Sequence, residues 1–168
     1  MEITVNVRYN SIKDFDIQQG DGVNVSLWFQ GCEHKCEGCF SPHTWDFNKG
    51  ELFTQDTIDY IINLLTKDKI NKNLSILGGE TLSANKLDML QSLLEQVRAT
   101  VPNIKIFLWT GYLWEDVKSL PLIKYLDVIV DGKYNKSEHN PTRYKGSDNQ
   151  RVIDVIKSLQ ANKVILYK

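Results

Sequence analysis

The chain has 168 residues, with 20 basic and 21 acidic side chains and a formal net charge of −1 at pH 7. This length suits a single domain over residues 1–168, with a core large enough to fold without disulfide bonds. The nearly balanced charge gives no electrostatic basis for binding nucleic acid or a membrane surface. Because we find no long apolar run and no signal-peptide features at the N-terminus, the sequence predicts a cytoplasmic protein.

The first half of the chain is predicted to contain two strands and a helix. Residues rich in β-branched and aromatic side chains predict strands over Ile3–Arg8 and Val23–Gln30, separated by a glycine-containing turn. A cysteine-containing loop follows the second strand. Thr54 is a suitable N-cap for a helix from Gln55 to about Lys67, because its side chain can satisfy a free amide of the first turn.

The second half continues the alternation of strands and helices. It is predicted to contain strands over Leu74–Leu77, Ile104–Trp109 and Val128–Val130, and helices over Leu87–Ala99 and Trp114–Tyr125, the second broken before Pro121. Such alternation predicts an α/β fold with a mostly parallel sheet. Because the units are too few for an eight-fold barrel, we expect a partial, open β/α barrel. The segment after Lys157, which ends with residues 163–168, predicts an added strand without an assigned task.

Four unusual segments lie directly after predicted strands. They are residues 32–39, 78–80, 110–112 and 131–133. The carboxyl ends of parallel strands meet at the same edge of a sheet. We therefore expect these segments to face one cleft, which is the predicted functional site.

The only cysteines of the chain, Cys32, Cys36 and Cys39, fall within eight residues and are interpreted as metal ligands. Their odd number and the predicted cytoplasmic location argue against disulfides. Three thiolates on a cubane iron–sulfur cluster would leave one iron open to substrate, as catalytic metal sites require. The main alternative is a zinc site with His34 as its fourth ligand, although zinc sites usually place their second ligand pair about a dozen or more residues away.

A second candidate binding segment is Gly78-Gly79-Glu80, at the end of a predicted strand. Two glycines allow the backbone to pass close to a ligand and to offer it peptide groups, and the carboxylate can accept from an ammonium group. The same residues also occur in simple strand-to-helix turns. Their position beside the cysteine loop favours ligand binding.

The spacing C-x3-C-x2-C resembles that of the radical S-adenosylmethionine (SAM) enzymes. Further motifs follow in order between about residues 20 and 155: Gly31–Phe40, Thr44-Trp45, Trp109–Tyr112, Asp131–Tyr134 and Gly146–Arg151. Together they resemble the anaerobic ribonucleotide reductase activating proteins, a family of small radical SAM activases. The chain departs from the family pattern at Thr81, where proline is usual, and at residues 18–22, which lack the proline of the common Asn-Gly-Pro-Gly turn.

The resemblance implies a fold, a cofactor set and a reaction. The fold would be a partial barrel of the radical SAM type, and Cys32, Cys36 and Cys39 would hold three irons of one 4Fe-4S cluster whose fourth iron binds SAM. The implied SAM contacts are Gly38, Cys39, Phe40, Gly78, Gly79 and Glu80. Reductive cleavage of SAM would yield a 5′-deoxyadenosyl radical, which would take hydrogen from a glycine of the large subunit of the anaerobic reductase. A small protein such as flavodoxin or ferredoxin would supply the electron.

Two other functions stay open at this level. The chain could be another small radical SAM enzyme, of the pyruvate formate-lyase activating type or a deazapurine synthase, although these are expected to lack the motifs at 109–112 and 146–151. It could also be a zinc-stabilised interaction domain built on the three cysteines and His34. Bound iron with acid-labile sulfide would support an enzyme, and stoichiometric zinc would support the interaction domain.

Several neighbouring side chains have ordinary structural interpretations. His34 could form a hydrogen bond near the cluster, but its place in a polar loop favours a solvated side chain. Trp109 and Tyr112 are predicted to form core and cleft wall. The basic side chains between residues 133 and 151 are expected to lie on a solvated surface. A sharper hypothesis is that this segment, together with Gly146–Gln150, docks the reductase, and charge reversal at Arg143 and Lys145 would test it.

Overall fold

The computed structural model describes residues 6–168 and contains seven strands in one sheet. The strands are β1 (Arg8–Asp16), β2 (Asn24–Phe29), β3 (Glu51–Leu52), β4 (Asn73–Gly78), β5 (Ile106–Trp109), β6 (Val128–Asp131) and β7 (Arg151–Asp154). Their order across the sheet is β3-β1-β2-β4-β5-β6-β7, so β3 and β7 form the two edges.

The sheet is open, and its centre is parallel. β2, β4, β5 and β6 pair in parallel, as expected when helical crossovers connect successive strands. β1 and β7 run opposite to the remaining strands. The predicted α/β class with an open, mostly parallel sheet is therefore confirmed, whereas the antiparallel strands beside β2 and β6 were not predicted.

Four α-helices accompany the sheet among the described residues. They are α1 (Gln55–Thr66), α2 (Leu87–Thr100), α3 (Trp114–Val117) and α4 (Val155–Ala161). α1 and α2 bury their apolar faces against each other and against the sheet, which places one hydrophobic core on that side. The main contributors from these helices are Ile58, Ile61, Leu65, Leu90, Leu94 and Val97. None of the helices between residues 6 and 168 is long and apolar enough to cross a membrane.

The predicted bounds of the first strand are wrong because pairing between strands, and not the local sequence pattern, determines where it forms. The strand predicted over Ile3–Arg8 is wrong where it can be tested: residues 3–5 lie outside the described part, and the strand begins at Arg8 and continues to Asp16. Its polar sequence becomes a strand because it pairs along β2. The break predicted before Pro121 is confirmed, because the helical segment Trp114–Tyr125 divides into α3 and a 3₁₀ helix that starts at Pro121, whose ring cannot continue an α-helix.

The strand predicted after Lys157 is wrong in its first part, because α4 continues to Ala161, and beyond it Leu166 forms a single bridge to Ile153. The end of this segment fastens the loop between β1 and β2. Tyr167 pairs with β7 through its amide, which donates to the Val152 carbonyl at 2.9 Å. Its hydroxyl donates to Asp21 at 2.5 Å, and the hydroxyl of Tyr144 donates to the same carboxylate. The loop at Asp21 lies against the sheet, since a Cβ at Gly20 would be 2.9 Å from Ser75 Oγ. The close packing at Gly20 therefore requires glycine at this position, even though the turn lacks the proline that is common in the family.

Removing the Tyr167 hydroxyl should weaken this attachment. Burial raises the pKa of Asp21, but the hydrogen bonds from Tyr144 and Tyr167 outweigh it, so the pKa lies below the usual range. Asp21 therefore stabilises the fold above about pH 4, and this contribution is lost as the pH falls through its lowered pKa. We expect Tyr167→Phe to lower the free energy of unfolding by about 1 kcal/mol at pH 7, and by less in acid.

Urea unfolding at several pH values measures this difference. The control is Tyr60→Phe, which changes an exposed tyrosine of α1 and should leave stability unchanged. Equal stability of Tyr167→Phe and the native chain at pH 7 would show that the Asp21 contact does not hold the loop.

Candidate functional site

The loops that follow β2, β4, β5 and β6 meet at one edge of the sheet, as predicted for parallel strands. Phe29 pairs with Gly78 where β2 and β4 end, so the cysteine loop (residues 31–41) and the glycine loop (residues 78–80) begin side by side. The loops enclose a cavity of about 450 Å³. Its wall includes seven of the residues predicted for cluster and cofactor binding: Cys32, Cys36, Cys39, Phe40, Gly78, Gly79 and Glu80. Gly38, which was also predicted, is not part of this wall and lies against Tyr134 and Lys136.

The three cysteines of this wall are free thiols and partly buried. Burial raises the pKa of Cys32, and the backbone amides of His34 and Lys35 offset part of that rise. Burial likewise raises the pKa of Cys36. The Ser41 amide donates to Cys39 Sγ at 3.4 Å. Amides aimed at sulfur stabilise thiolates, which are the form that binds metal.

This donor set fits an iron–sulfur cluster. Three free thiols line one cavity, and in a cubane each thiolate binds a different iron. Among residues 6–168, no three His, Cys, Asp or Glu side chains converge on one point as the ligands of a single ion would. His34, the fourth ligand of the zinc alternative, directs Nε2 to Glu80 Oε1 at 2.7 Å. That nitrogen is thus engaged elsewhere.

The cysteine loop and the glycine loop are in direct backbone contact. The Gly79 amide donates to the Phe29 carbonyl, and the Glu80 amide donates to the Gly31 carbonyl, both at 2.9 Å. A Cβ at Gly79 would overlap the Gly31 carbonyl oxygen. Gly78 has φ of +116°, a conformation that L side chains rarely adopt. Both glycines are therefore required by geometry in the protein itself, before any ligand is considered.

Glu80 holds these loops together through its buried carboxylate. The residue is only 1% exposed, and each of its oxygens receives two hydrogen bonds. His34 Nε2 and the Gly111 amide donate to Oε1, and the Leu82 amide and Thr110 hydroxyl donate to Oε2, all at 2.7 Å. A carboxylate has about four acceptor positions. All of them are used by three different loops.

His34 is a structural member of the site. The favoured prediction that it is solvated is wrong, and its hydrogen bond to Glu80 agrees with the alternative that it bonds within the site. Its side chain is 6% exposed and packs edge-on against Tyr112, with ring centroids 4.7 Å apart. A Cβ at Gly111 would lie 2.6 Å from His34 Cδ2, so this glycine makes room for the imidazole. The partner of His34 lies 46 residues away in sequence, and the only local signal was its place between two cysteines.

Thr81 stands where the family pattern has proline. Its side chain is fully buried, and its hydroxyl donates to the Trp109 carbonyl at 2.6 Å. This bond ties the end of the glycine loop to the end of β5. Thr81 thus supplies by hydrogen bonding a restraint that a proline ring would supply by limiting φ.

The motifs of the second half support the far wall of the cavity. Asp131 accepts from the Trp114 amide at 2.8 Å and from Arg151 Nη2 at 2.5 Å. Gln150 Oε1 accepts from the Gly146 amide at 2.8 Å, and its Nε2 donates to the Gly132 carbonyl at 3.0 Å. These polar residues hold backbone segments in place around the cavity.

The basic segment between residues 133 and 151 is largely engaged within the molecule. Arg151 also pairs with Glu115. The carboxylate of Asp131 and, to a smaller extent, that of Glu115 raise the pKa of the Arg151 guanidinium. Arg143 donates to the Gly20 carbonyl at 3.1 Å, and Lys145 donates to the Gln150 carbonyl at 3.3 Å. Charge reversal at Arg143 would therefore disturb a loop contact as well as any docking surface.

The aromatic residues near the cavity differ in exposure. Trp109 lines the cavity and donates from Nε1 to the Tyr144 carbonyl at 2.6 Å, in agreement with its predicted place in the wall. Tyr112 donates to Glu33 at 2.5 Å and packs on His34. Phe40 is exposed at the rim, 5.2 Å from the ring centre of Tyr134. An exposed aromatic ring beside a cysteine offers an apolar surface to a ligand or a partner.

Comparisons with known proteins agree with this site. The family model described as a 4Fe-4S single cluster domain matches residues 18–153. An anaerobic ribonucleoside-triphosphate reductase-activating protein of Enterobacteria phage T4 is 40% identical over 146 residues, which cover 87% of this chain and 93% of the relative. Proteins of the same name from Vibrio cholerae and Escherichia coli K12 are each 32% identical, over 86% and 87% of this chain and 96% and 97% of their own lengths. The chain belongs to the family of anaerobic ribonucleoside-triphosphate reductase-activating proteins.

Proposed function

We propose that this chain is a radical SAM enzyme that activates the anaerobic ribonucleotide reductase. The observation that carries the proposal is that three free cysteines and the glycine loop line one cavity. When bound, a reduced 4Fe-4S cluster supplies one electron, which breaks the sulfonium bond of SAM to give methionine and a 5′-deoxyadenosyl radical. The bound cofactors would thereby allow the removal of a hydrogen atom from a glycine of the large reductase subunit, with 5′-deoxyadenosine as the second product.

Cys32, Cys36 and Cys39 would hold three irons of the cluster. Cys32 is fixed at its backbone, because its amide donates to the Trp45 carbonyl at 3.1 Å and the preceding Gly31 amide donates to the Thr44 carbonyl at 2.6 Å. These bonds restrain the loop without using the thiols. Amide groups directed at the sulfurs would also influence the cluster potential, as they do in other iron–sulfur proteins.

The proposed SAM contacts come from two loops. Gly38, Cys39 and Phe40 come from the cysteine loop, and Gly78, Gly79 and Glu80 from the glycine loop. Because the oxygens of Glu80 are already occupied by four donors, we propose that its carboxylate keeps the loop in shape. The peptide groups of Gly78 and Gly79 are then left to meet the polar groups of methionine. This refines the expectation that the carboxylate receives the ammonium group.

A reactive radical requires a site that excludes water. Trp28, Trp45 and Trp109 line the cavity and cover its inner wall with large apolar surfaces. Phe40 and Tyr134 stand at the rim, where a glycine-bearing loop of the reductase would enter. A protein substrate of this kind fits a small activating chain that we treat as one domain.

The remaining parts of the proposal follow from family membership. The open sheet would be the partial barrel of the radical SAM type, and the electron would come from a small donor such as flavodoxin or ferredoxin. The proposed location is the cytoplasm, where such donors and the reductase occur. The proposed partner is the anaerobic ribonucleotide reductase, because the relatives are called anaerobic ribonucleoside-triphosphate reductase-activating proteins.

Cleavage of SAM should depend on the cysteines. After anaerobic reconstitution with iron and sulfide, reduction and addition of SAM, we expect 5′-deoxyadenosine from the native chain and at least about a hundredfold less from Cys36→Ala. Changing only an outer-shell partner of a metal ligand already costs roughly 10- to 100-fold in metal affinity or activity, and losing the ligand itself costs more. Glu37→Ala is a matched control, because this exposed neighbour carries no thiol. Tightly bound zinc without iron in the native chain would contradict the proposal.

Transfer of the radical to the reductase should be visible directly. With the anaerobic reductase present, we expect a glycyl radical signal in electron paramagnetic resonance spectra that requires SAM, reductant and the native cysteines. A reductase with its radical-bearing glycine replaced by alanine should show no such signal. Formation of 5′-deoxyadenosine without any glycyl radical on the reductase would identify the chain as a radical SAM enzyme with another substrate.

A further inference from the structure

A buried lysine joins the two loops that build the site. Lys86 ends the short 3₁₀ turn before α2 and is 0% exposed. Its ammonium group donates to the carbonyls of Gly31 and Glu80, each at 2.8 Å, and to Ser83 Oγ at 3.2 Å. An ammonium group has three protons. All three are therefore used on neutral oxygens.

The two carbonyls that accept from Lys86 lie next to the residues proposed to bind the cluster and SAM. Gly31 directly precedes Cys32, and Glu80 ends the glycine loop. The Gly31 carbonyl also accepts the Glu80 amide, so Lys86 completes a contact that already joins both segments. Movement of this ammonium would change the position of Cys32 relative to Gly79 and Glu80.

A comparison with Lys72, a second buried lysine, shows that Lys86 lacks the usual carboxylate partners of a buried ammonium group. Lys72 is 1% exposed, but its ammonium lies 2.6 Å from Asp68 and 2.9 Å from Asp14, and these carboxylates outweigh burial and raise its pKa. Lys86 has no such compensation in its hydrogen bonds, and burial lowers its pKa to about 8. It still carries its charge in most molecules at neutral pH.

The negative groups near Lys86 belong to the site itself. Glu33, Glu80 and the Cys32 sulfur act on its charge through space. A buried charge bound only to neutral groups destabilises a fold, and an apolar residue would serve packing better. The ammonium also lies 4.9 Å from the ring centre of Phe47, a favourable contact that does not neutralise it. Glu33 and Glu80 offset only part of the effect of burial on Lys86, and three thiolates holding a 4Fe-4S cluster would add further negative charge to this site.

We propose that Lys86 is a positioning residue that fixes the cysteine loop against the glycine loop and supplies the buried positive charge beside the cluster. This inference rests on the proposed function for the cluster, but the clamp itself is a property of the protein without metal. Lys86 touches neither substrate nor reacting atoms in this account. It acts through Gly31 and Glu80.

The clamp is tested in metal-free protein by hydrogen exchange of backbone amides. In Lys86→Met we expect the Glu80 and Cys32 amides to exchange about tenfold faster than in the native chain, as the loss of a charged hydrogen-bond donor implies. Lys72→Met is the matched control, because it removes an equally buried lysine near α1 and should leave these two amides unchanged. Equal exchange in Lys86→Met and Lys72→Met would overturn the clamp.

The charge is tested by the midpoint potential of the reconstituted cluster, followed by electron paramagnetic resonance. A nearby cation stabilises the more negative reduced state, so Lys86→Met should shift the potential to more negative values, while Lys72→Met should not. Lys86→Gln keeps a polar side chain without charge and should show the same shift, which covers the case in which Lys86→Met does not fold.

These outcomes separate the inference from the proposed function. An iron-loaded native chain whose potential is the same in both Lys86 variants would overturn the role of the charge and leave the activase proposal intact. A native chain that binds no iron would contradict both the proposed function and the role of the charge. The exchange experiment on metal-free protein would still decide the clamp.

Discussion

The site depends on a single buried carboxylate. Glu80 receives four hydrogen bonds at 2.7 Å from the cysteine loop, the turn after β5 and the residues that follow the glycine loop. Burial of such a group is favourable only when its acceptor positions are filled, so each donor is constrained by the others. The hydrogen bonds to the Glu80 carboxylate thus fix the loops relative to one another, and these fixed loops determine the shape of the cavity.

The small and polar residues of the motifs follow from this constraint. Gly79 allows the backbone to reach Gly31, and Gly111 leaves space for the His34 ring that contacts Glu80. Thr81 fastens the end of the glycine loop to β5. Lys86 donates to the carbonyls of Gly31 and Glu80. Cofactor binding and the fold are therefore not independent demands on the sequence. The arrangement that we propose to shield a radical is the one that satisfies the buried polar groups.

Sequence patterns predicted the parts of this site that depend on local chemistry. The cysteine spacing, the glycines after β4 and the alternation of strands and helices correctly placed three thiols and the glycine loop at one sheet edge. Contacts between distant segments could not be predicted in this way. The partner of His34 lies 46 residues away, and a lysine in a polar turn gives no sign that it is buried. β1 was misplaced because its polar residues become a strand only through pairing with β2.

The most direct test of this account is the stability of Glu80→Gln in protein without metal or SAM. The glutamine amide would face donors with a donor of its own, so two of the four hydrogen bonds would be lost or opposed. We expect the free energy of unfolding to fall by about 2–4 kcal/mol, as for other buried groups deprived of partners. Glu115→Gln, which alters an exposed ion pair, should change it by less than about 1 kcal/mol. Unchanged stability of Glu80→Gln would contradict the central role of this carboxylate in the fold and would leave it only a role toward the ligand.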